Sequence, residues 1–349
     1  MKRNLPLSVL DLAPIPSGST ASEALRRTIE LARLAERLGY VRYWFAEHHS
    51  LPSVGSSSPE VLIAHAAAQT ERIRLGAGGV MLPNHVPLRV AETYHTLEAL
   101  YPGRIDLGIG RAPGTDPVTV RALRSFDAEQ FPAHLAEVLA LSRGTLPSGH
   151  PFASVRVVPG GVELPPIWIL GSSGASARFA GASGLGYAFA SHFSPTPAAP
   201  ALRAYRESFT PSSDFPEPHA IIGVAVVCAE TDERADHLAL SMDLSWANLL
   251  SGRLAPLPSP EEALAHPYTP QELAAVRERR ALLVVGTPEK VRARIEDLAA
   301  ETEADEVMVS SLIHSHADRL RSYELLADVF ELNGAGAPSG HPDRRLSAR

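Results

Sequence analysis

Cysteine is almost missing from this chain. Cys228 is the single one among 349 residues, which excludes an intrachain disulfide. Its place in the apolar run IIGVAVVCAE marks it as a buried, inert side chain and fits a reducing compartment. No apolar stretch approaches the roughly 20 residues needed to cross a bilayer. The N-terminal segment MKRNLPLSVLDLAP has a basic start, but Pro6 and Asp11 break its short apolar run, so it reads as a first strand rather than a signal peptide. There is no basic cluster, and the formal net charge is -7. That balance argues against nucleic acid or an anionic membrane as partner. No G-x-G-x-x-G turn follows the first strand-like run, which removes the main reason to read an open dinucleotide-binding sheet. No H-E-x-x-H spacing occurs either. The H-x-H of His314 and His316 has no further ligands beside it and reads as a solvated polar turn, so no metal is expected. A soluble, cytoplasmic protein is expected.

What the chain does contain is a regular alternation. Hydrophobic residues make up 45% and charged residues 20%, an ordinary globular balance in a chain long enough to bury a large core. Short aliphatic runs alternate with stretches of helical period. The runs are Leu5–Leu12, Val41–Ala46, Ile73–Leu82, Ile105–Ile109, Ile167–Leu170, Tyr187–Ala190, Ile221–Cys228 and Glu306–Ser310. The first helix, SEALRRTIELARLAERLG, is expected to be capped by Ser22 and closed by Gly39. A second starts at Pro59 with Glu60 in its first turn. PLRVAETYHTLEAL, Asp127–Leu141 and a last stretch ending near Leu332 also read as helices. Ser142–Pro165 is poorly patterned, with a short hairpin expected around Pro159–Gly161. Leu254–Glu272 carries many prolines and reads as an excursion from the core. Leu282–Val285, which runs into GTPEKV, reads as the approach to a helix rather than a barrel strand.

Eight strands alternating with helices predict a parallel sheet closed as a (β/α)8 TIM barrel with insertions. Barrels of this kind run well past 250 residues as one domain, so residues 1–333 are expected to form one domain. The Gly-, Pro- and Arg-rich residues 334–349 are expected to be a disordered tail.

Such barrels place their sites at the C-terminal ends of the strands, and polar or small residues collect there. The second run leads into Glu47, His48 and His49. The third contains Gly78 and Gly79 and leads to Asn84 and His85. The fourth leads into Gly110, Arg111 and Asp116. The fifth leads into Gly171, Ser172, Ser173, Gly174 and Ser176, and the sixth into Ser191 and His192. The GSSGAS turn joins a strand to a helix N-terminus, where free N–H groups, the helix dipole and small hydroxyls make an anion site. Its bland alternative is simple helix capping by Ser173 or Ser176. Arg111 could reach the same anion; its alternative is a surface ion pair. Two glycines inside a strand imply close approach of a ligand or another backbone. A cis peptide between Gly78 and Gly79 is expected, and the alternative is a bulge serving barrel curvature. Because His48 and His49 are adjacent on an extended segment, only one can face a pocket.

RYWFAEHH, RIRLGAGGVMLPNHVPLRVAE, PGRIDLGIGRAPGTD and PPIWILGSSGASARFAGASGLGYAFASHF together resemble the luciferase-like flavin-dependent monooxygenases over most of residues 5–330. The resemblance implies a barrel that binds reduced FMN, uses oxygen on a small organic substrate, and receives its reduced flavin from a separate reductase. It further implies that His48, with Glu47 beside it, is catalytic, and that Gly78 and Gly79 lie under the flavin ring. Arg111, Ser173 and Ser176 are implied at the phosphate, and the turn that carries the two serines also supplies Gly171, Ser172 and Gly174 as cofactor-binding candidates. Gly110 stands where luciferase has a reactive cysteine and Ser172 where it has a glutamate, so light emission is not implied. Leu254–Glu272 has no match to luciferase's mobile lid, so aldehyde specificity is not implied either. Alternatives are a deazaflavin-dependent hydride-transfer enzyme, a non-catalytic flavin-binding protein and a metal hydrolase. Apolar residues on more than one face of Pro59–Thr70 and Pro87–Leu100, with the resemblance, lead to the expectation of a homodimer.

Overall fold

A computed structural model describes residues 5–123 and 127–332; the tail expected at 334–349 lies outside the described residues. Nine strands are present among the described residues, all pairing in parallel. They are β1 (Leu7–Asp11), β2 (Arg42–Phe45), β3 (Arg74–Met81), β4 (Ile105–Gly110), β5 (Ile167–Gly171), β6 (Gly186–Phe189), β7 (Ala220–Cys228), β8 (Leu283–Gly286) and β9 (Glu306–Ser310). Eight of them close in the order β1 to β7 and then β9, which returns to β1. This is the expected (β/α)8 barrel, and its strands are buried almost throughout, as both-face-covered parallel strands must be.

The helices are α1 (Ala21–Leu38), α2 (Pro59–Ala67), α3 (Pro87–Leu100), α4 (Pro117–Leu123), α5 (Phe131–Arg143), α6 (Gly174–Ala182), α7 (Ala198–Glu207), α8 (Asp232–Leu250), α9 (Pro260–Ala265), α10 (Pro270–Arg280), α11 (Pro288–Thr302) and α12 (His316–Val329). Several sequence expectations need correction. The cap of α1 is Thr20, not Ser22: Thr20 and Glu23 exchange side-chain and backbone hydrogen bonds in a full capping box, two residues ahead of the expected cap. No strand forms around Pro159–Gly161; turns and bends fill that segment. Leu283–Gly286 is a strand after all. β7 is long enough to pair with β9 through Ile221–Ala225 and to offer Ala225–Cys228 to β8, which therefore hangs outside the closed barrel. The proline-rich excursion is ordered too. Ser259 with Glu262 and Thr269 with Glu272 form capping boxes that start α9 and α10, and Leu257 exchanges backbone hydrogen bonds with the loop after β1.

The two ends of the barrel differ in chemistry. At the N-terminal end lies a buried charge network. Asp106 accepts from Arg42 at 2.8 Å, from Arg74 at 2.6 Å and from Trp44 Nε1 at 3.0 Å, and Glu306 accepts from Arg42 at 2.7 Å. Burial opposes both carboxylate charges, but the guanidinium groups outweigh it and hold both carboxyls below their ordinary range. Above this network the barrel interior is filled by Leu10, Trp44, Trp168, Ile221 and Met308. Leu10, Trp44, Ile221 and Met308 also form the floor of a cavity that opens at the other end.

Candidate active site

The cavity has a volume of about 520 Å³, within the range of small-molecule and cofactor sites. It sits over the C-terminal strand ends, where Ala46, Gly110, Gly171, Ala190 and Leu312 follow or close their strands. Its walls are mainly apolar, with Leu51, Val54, Met81, Leu170, Met242 and Trp246 among them. Phe193, Leu249 and Leu254 are exposed at its edge. Among the described residues no Asp or Glu lines it.

The segment after β2 turns on Glu47. This side chain is completely buried. Its Oε1 meets His49 Nε2 at 3.0 Å and His85 Nε2 at 2.8 Å, and its Oε2 accepts the Met81 N–H at 3.0 Å. Burial raises the Glu47 carboxyl, but the bonds from the two histidines and Met81 outweigh it and bring it down to about 2. On His85, burial acts downward and the Glu47 contact outweighs it upward. Glu47, expected beside His48 as a catalytic group, is therefore not in the cavity wall. Both its oxygens are engaged in pinning the end of β2 to the end of β3.

Strand alternation then separates the neighbouring histidines. His49 turns to Glu47, while His48 lines the cavity. His48 Nδ1 lies 3.2 Å from the Gly114 carbonyl, so that nitrogen carries the proton and donates, leaving Nε2 as the basic nitrogen. Burial lowers the His48 pKa, and the Gly114 bond offsets only part of that. Across the mouth, His192 lines the same cavity, its pKa brought down to about 4 by burial first and by the nearby positive charge of Arg279 second. Both imidazoles are neutral at neutral pH.

The Gly78–Gly79 peptide is cis, as expected, and the β3–β4 register also shifts between Ala77 and Val80. Gly78 lines the cavity. A Cβ at Gly79 would meet the Gly108 carbonyl oxygen at 2.7 Å, and one at Gly78 would meet Leu10 at 2.7 Å. The close approach that demands these glycines is thus already made by the protein's own backbone and floor, without a ligand.

At the ends of β4 and β5 the cavity becomes polar. Arg111 lines it, is exposed, and makes no ion pair or hydrogen bond among the described residues. The expected alternative, a surface ion pair, does not form. Gly171 and Ser172 line the cavity beside the start of α6. Ser173 is the N-cap of α6, yet its side chain makes no capping bond. Ser176 Oγ turns back to the Ser173 carbonyl at 2.9 Å and to Tyr187 Oη at 3.0 Å. Ser173, Gly174 and Ser176 lie behind the wall. A free helix N-terminus and an unpaired guanidinium beside one cavity form a cradle for an anion. The cavity volume, its apolar walls and this cradle fit a flavin mononucleotide.

Among the described residues no three His, Cys, Asp or Glu side chains are arranged to hold a metal ion. His314 instead meets Ser17 at 3.1 Å and His316 meets Glu30 at 3.0 Å. Likewise, no described helix is long and apolar enough to cross a membrane. His192, Trp246 and Arg279 are among the cavity residues that the sequence-based site did not include. His192 stood at a strand end and was readable as polar. Trp246 and Arg279 come from α8 and α10, where nothing local marks them as facing a cavity.

Comparison with known proteins agrees with this architecture. The luciferase-like monooxygenase family profile matches residues 5–306. An uncharacterized Bacillus subtilis protein, YvbT, is 50% identical over 328 residues, covering 93% of this chain and 96% of its own. An N-acetyl-S-alkylcysteine monooxygenase of the same organism is 34% identical over 328 residues, covering 93% and 97%. The crystal structure of apo-MsnO8 superposes with a TM-score of 0.85 at 40% identity, covering 94% of this chain and 99% of that one. With a profile spanning most of its length and full-length relatives at this identity, the chain belongs to the luciferase-like monooxygenase family.

Proposed function

We propose that this protein is an FMN-dependent monooxygenase of a small organic substrate, using reduced flavin delivered by a separate reductase. The observation that carries the reading is Arg111, unpaired among the described residues, beside the uncapped start of α6, at one side of a cavity whose described wall holds no carboxylate. Arg111 and Ser172, which line the cavity, would hold the phosphate through charge-assisted bonds, and the start of α6 at Ser173, Gly174 and Ser176 would add its helix dipole from behind the wall. Gly171 keeps the turn tight enough for this: a Cβ there would fall 2.1 Å from Ser176 Oγ. Gly78, which lines the cavity, would form the backbone shelf facing the flavin ring. Bound and reduced, FMN supplies the electrons that activate dioxygen for oxygen-atom transfer.

The protein's own part is positioning, proton handling and exclusion of water. His48, neutral and with Nε2 free, accepts or returns a proton at the reacting centre. Glu47 acts through His49, His85 and the Met81 N–H by fixing where His48 sits. The apolar wall keeps water from the reacting centre. The thioether class in the name of the N-acetyl-S-alkylcysteine monooxygenase makes thioethers the first substrates to assay here.

The test is titration of purified protein with FMN and, separately, with deazaflavin, followed by oxygen uptake with a flavin reductase and a thioether panel. Saturable FMN binding with substrate-dependent oxygen uptake is the expected result. Binding of deazaflavin in preference to FMN would replace this reading with hydride transfer. FMN binding without turnover of any compound would leave a flavin-binding protein.

A further inference from the structure

Among the described residues three arginines line the cavity: Arg111, Arg253 and Arg279. Arg253 is neutralised by Glu272 at 2.5 Å. Arg111 belongs to the phosphate cradle described above. Arg279 has no role in that reading. It projects from the end of α10, which packs on α8, and its guanidinium carbon stands 5.0 Å from the centre of the Trp246 ring. The stack holds the group in place, yet a ring face is only a weak acceptor and does not replace an oxygen partner. Nη1 is sealed from solvent with no partner, and no carboxylate pairs with the group among the described residues. An unpaired cation in an apolar wall is costly, and a bound anion relieves that cost. Arg279 also lies near His192, which follows β6, whereas Arg111 follows β4. Among the described residues the cavity therefore presents two separate unpaired cations on different parts of its rim.

We infer that Arg279 receives a carboxylate on the organic substrate, whose apolar remainder lies along Trp246, Leu249, Leu254 and Phe193. The inference rests on the proposed flavin site: with a phosphate at Arg111, the second cation is left for the substrate. It makes Arg279 a specificity residue and the substrate an anionic amphiphile rather than a neutral one such as an aldehyde.

The experiment measures binding of octanoate and of octanamide to flavin-free protein by calorimetry. The two differ in charge but hardly in shape. A charge-assisted contact predicts octanoate binding about ten-fold or more tighter than octanamide. Arg279→Gln removes that preference, and Arg279→Lys, which keeps the charge, retains most of it. FMN affinity of Arg279→Gln stays within about two-fold of the parent. Octanoate binding no better than octanamide in the parent protein overturns the inference, whatever the variants do. So does a variant that keeps its octanoate preference, or one whose FMN affinity falls ten-fold while riboflavin affinity holds, since the guanidinium would then serve the phosphate. Failure of the flavin reading itself would appear in the FMN titration of the parent protein, which the octanoate arm does not use.

Discussion

Replacing Arg111 with alanine isolates the phosphate contact. Among the described residues Arg111 touches no acceptor, so its removal leaves no buried partner stranded. Fold stability should then move by no more than about 0.5 kcal/mol, as for other surface changes. In the complex, a charge-assisted bond contributes roughly 1.5–3 kcal/mol. The exposure of Arg111 places the contact at the lower end of that range, because water and salt screen it. About 1.4 kcal/mol corresponds to a ten-fold change in affinity. FMN binding, followed by quenching of flavin fluorescence at constant ionic strength, should therefore weaken about ten-fold. Riboflavin has the same ring and ribityl chain without the phosphate, so its affinity should stay unchanged. The preference of the parent protein for FMN over riboflavin should shrink by the same factor. An unchanged preference, or a parallel loss for both ligands, would refute the assignment of Arg111 to the phosphate.

His48→Gln should lose roughly 100- to 10,000-fold in turnover while binding FMN normally; a dead His49→Gln beside an active His48→Gln would invert the roles. His192 has a pKa of about 4 against an ordinary 6.5, so between those values the unfolded chain binds the proton and the folded one does not. Its contribution to stability accordingly falls as pH drops below about 6.5, by roughly 2 kcal/mol at pH 5, and urea melts of His192→Asn at pH 7 and pH 5 should show a smaller difference than those of the parent. Asp106→Leu leaves Arg42 with Glu306 alone and Arg74 with only the Gly103 and Ile105 carbonyls, and should cost about 3 kcal/mol in urea unfolding; a loss below 1 kcal/mol would show that the network contributes little. Val61 on α2, Val86 and Leu100 at the two ends of α3 are exposed, and we propose that they are covered in a homodimer, so light scattering should give twice the chain mass, shifting toward monomer in a Val61→Lys, Leu100→Lys variant, whereas a monomeric parent at micromolar concentration contradicts it.

The alternation of apolar runs with helical periods was enough to determine the barrel, because a parallel strand buried on both faces must be continuously apolar and its crossover must be a helix. The strand ends were equally legible. Arg111, Ser172 and His48 stand beside such ends and line the cavity, since barrel geometry brings all eight ends together whatever the loops contain. Caps and edges were less legible. Thr20 rather than Ser22 starts α1 because its box with Glu23 satisfies two backbone groups at once, and β8 exists because β7 is longer than its barrel partner β9. Only the tertiary structure decided what depends on distant residues meeting. Glu47 read as catalytic from its neighbour His48, but His85 and Met81, more than thirty residues away, turn it into a buried anchor. Gly79 read as a place for a ligand, but Gly108 of the next strand already occupies that space. Arg279 carried no local signal, since an arginine near a helix end is ordinarily solvated. It becomes informative where the packing of α10 on α8 sets it on Trp246, in a cavity wall with no carboxylate among the described residues to neutralise it.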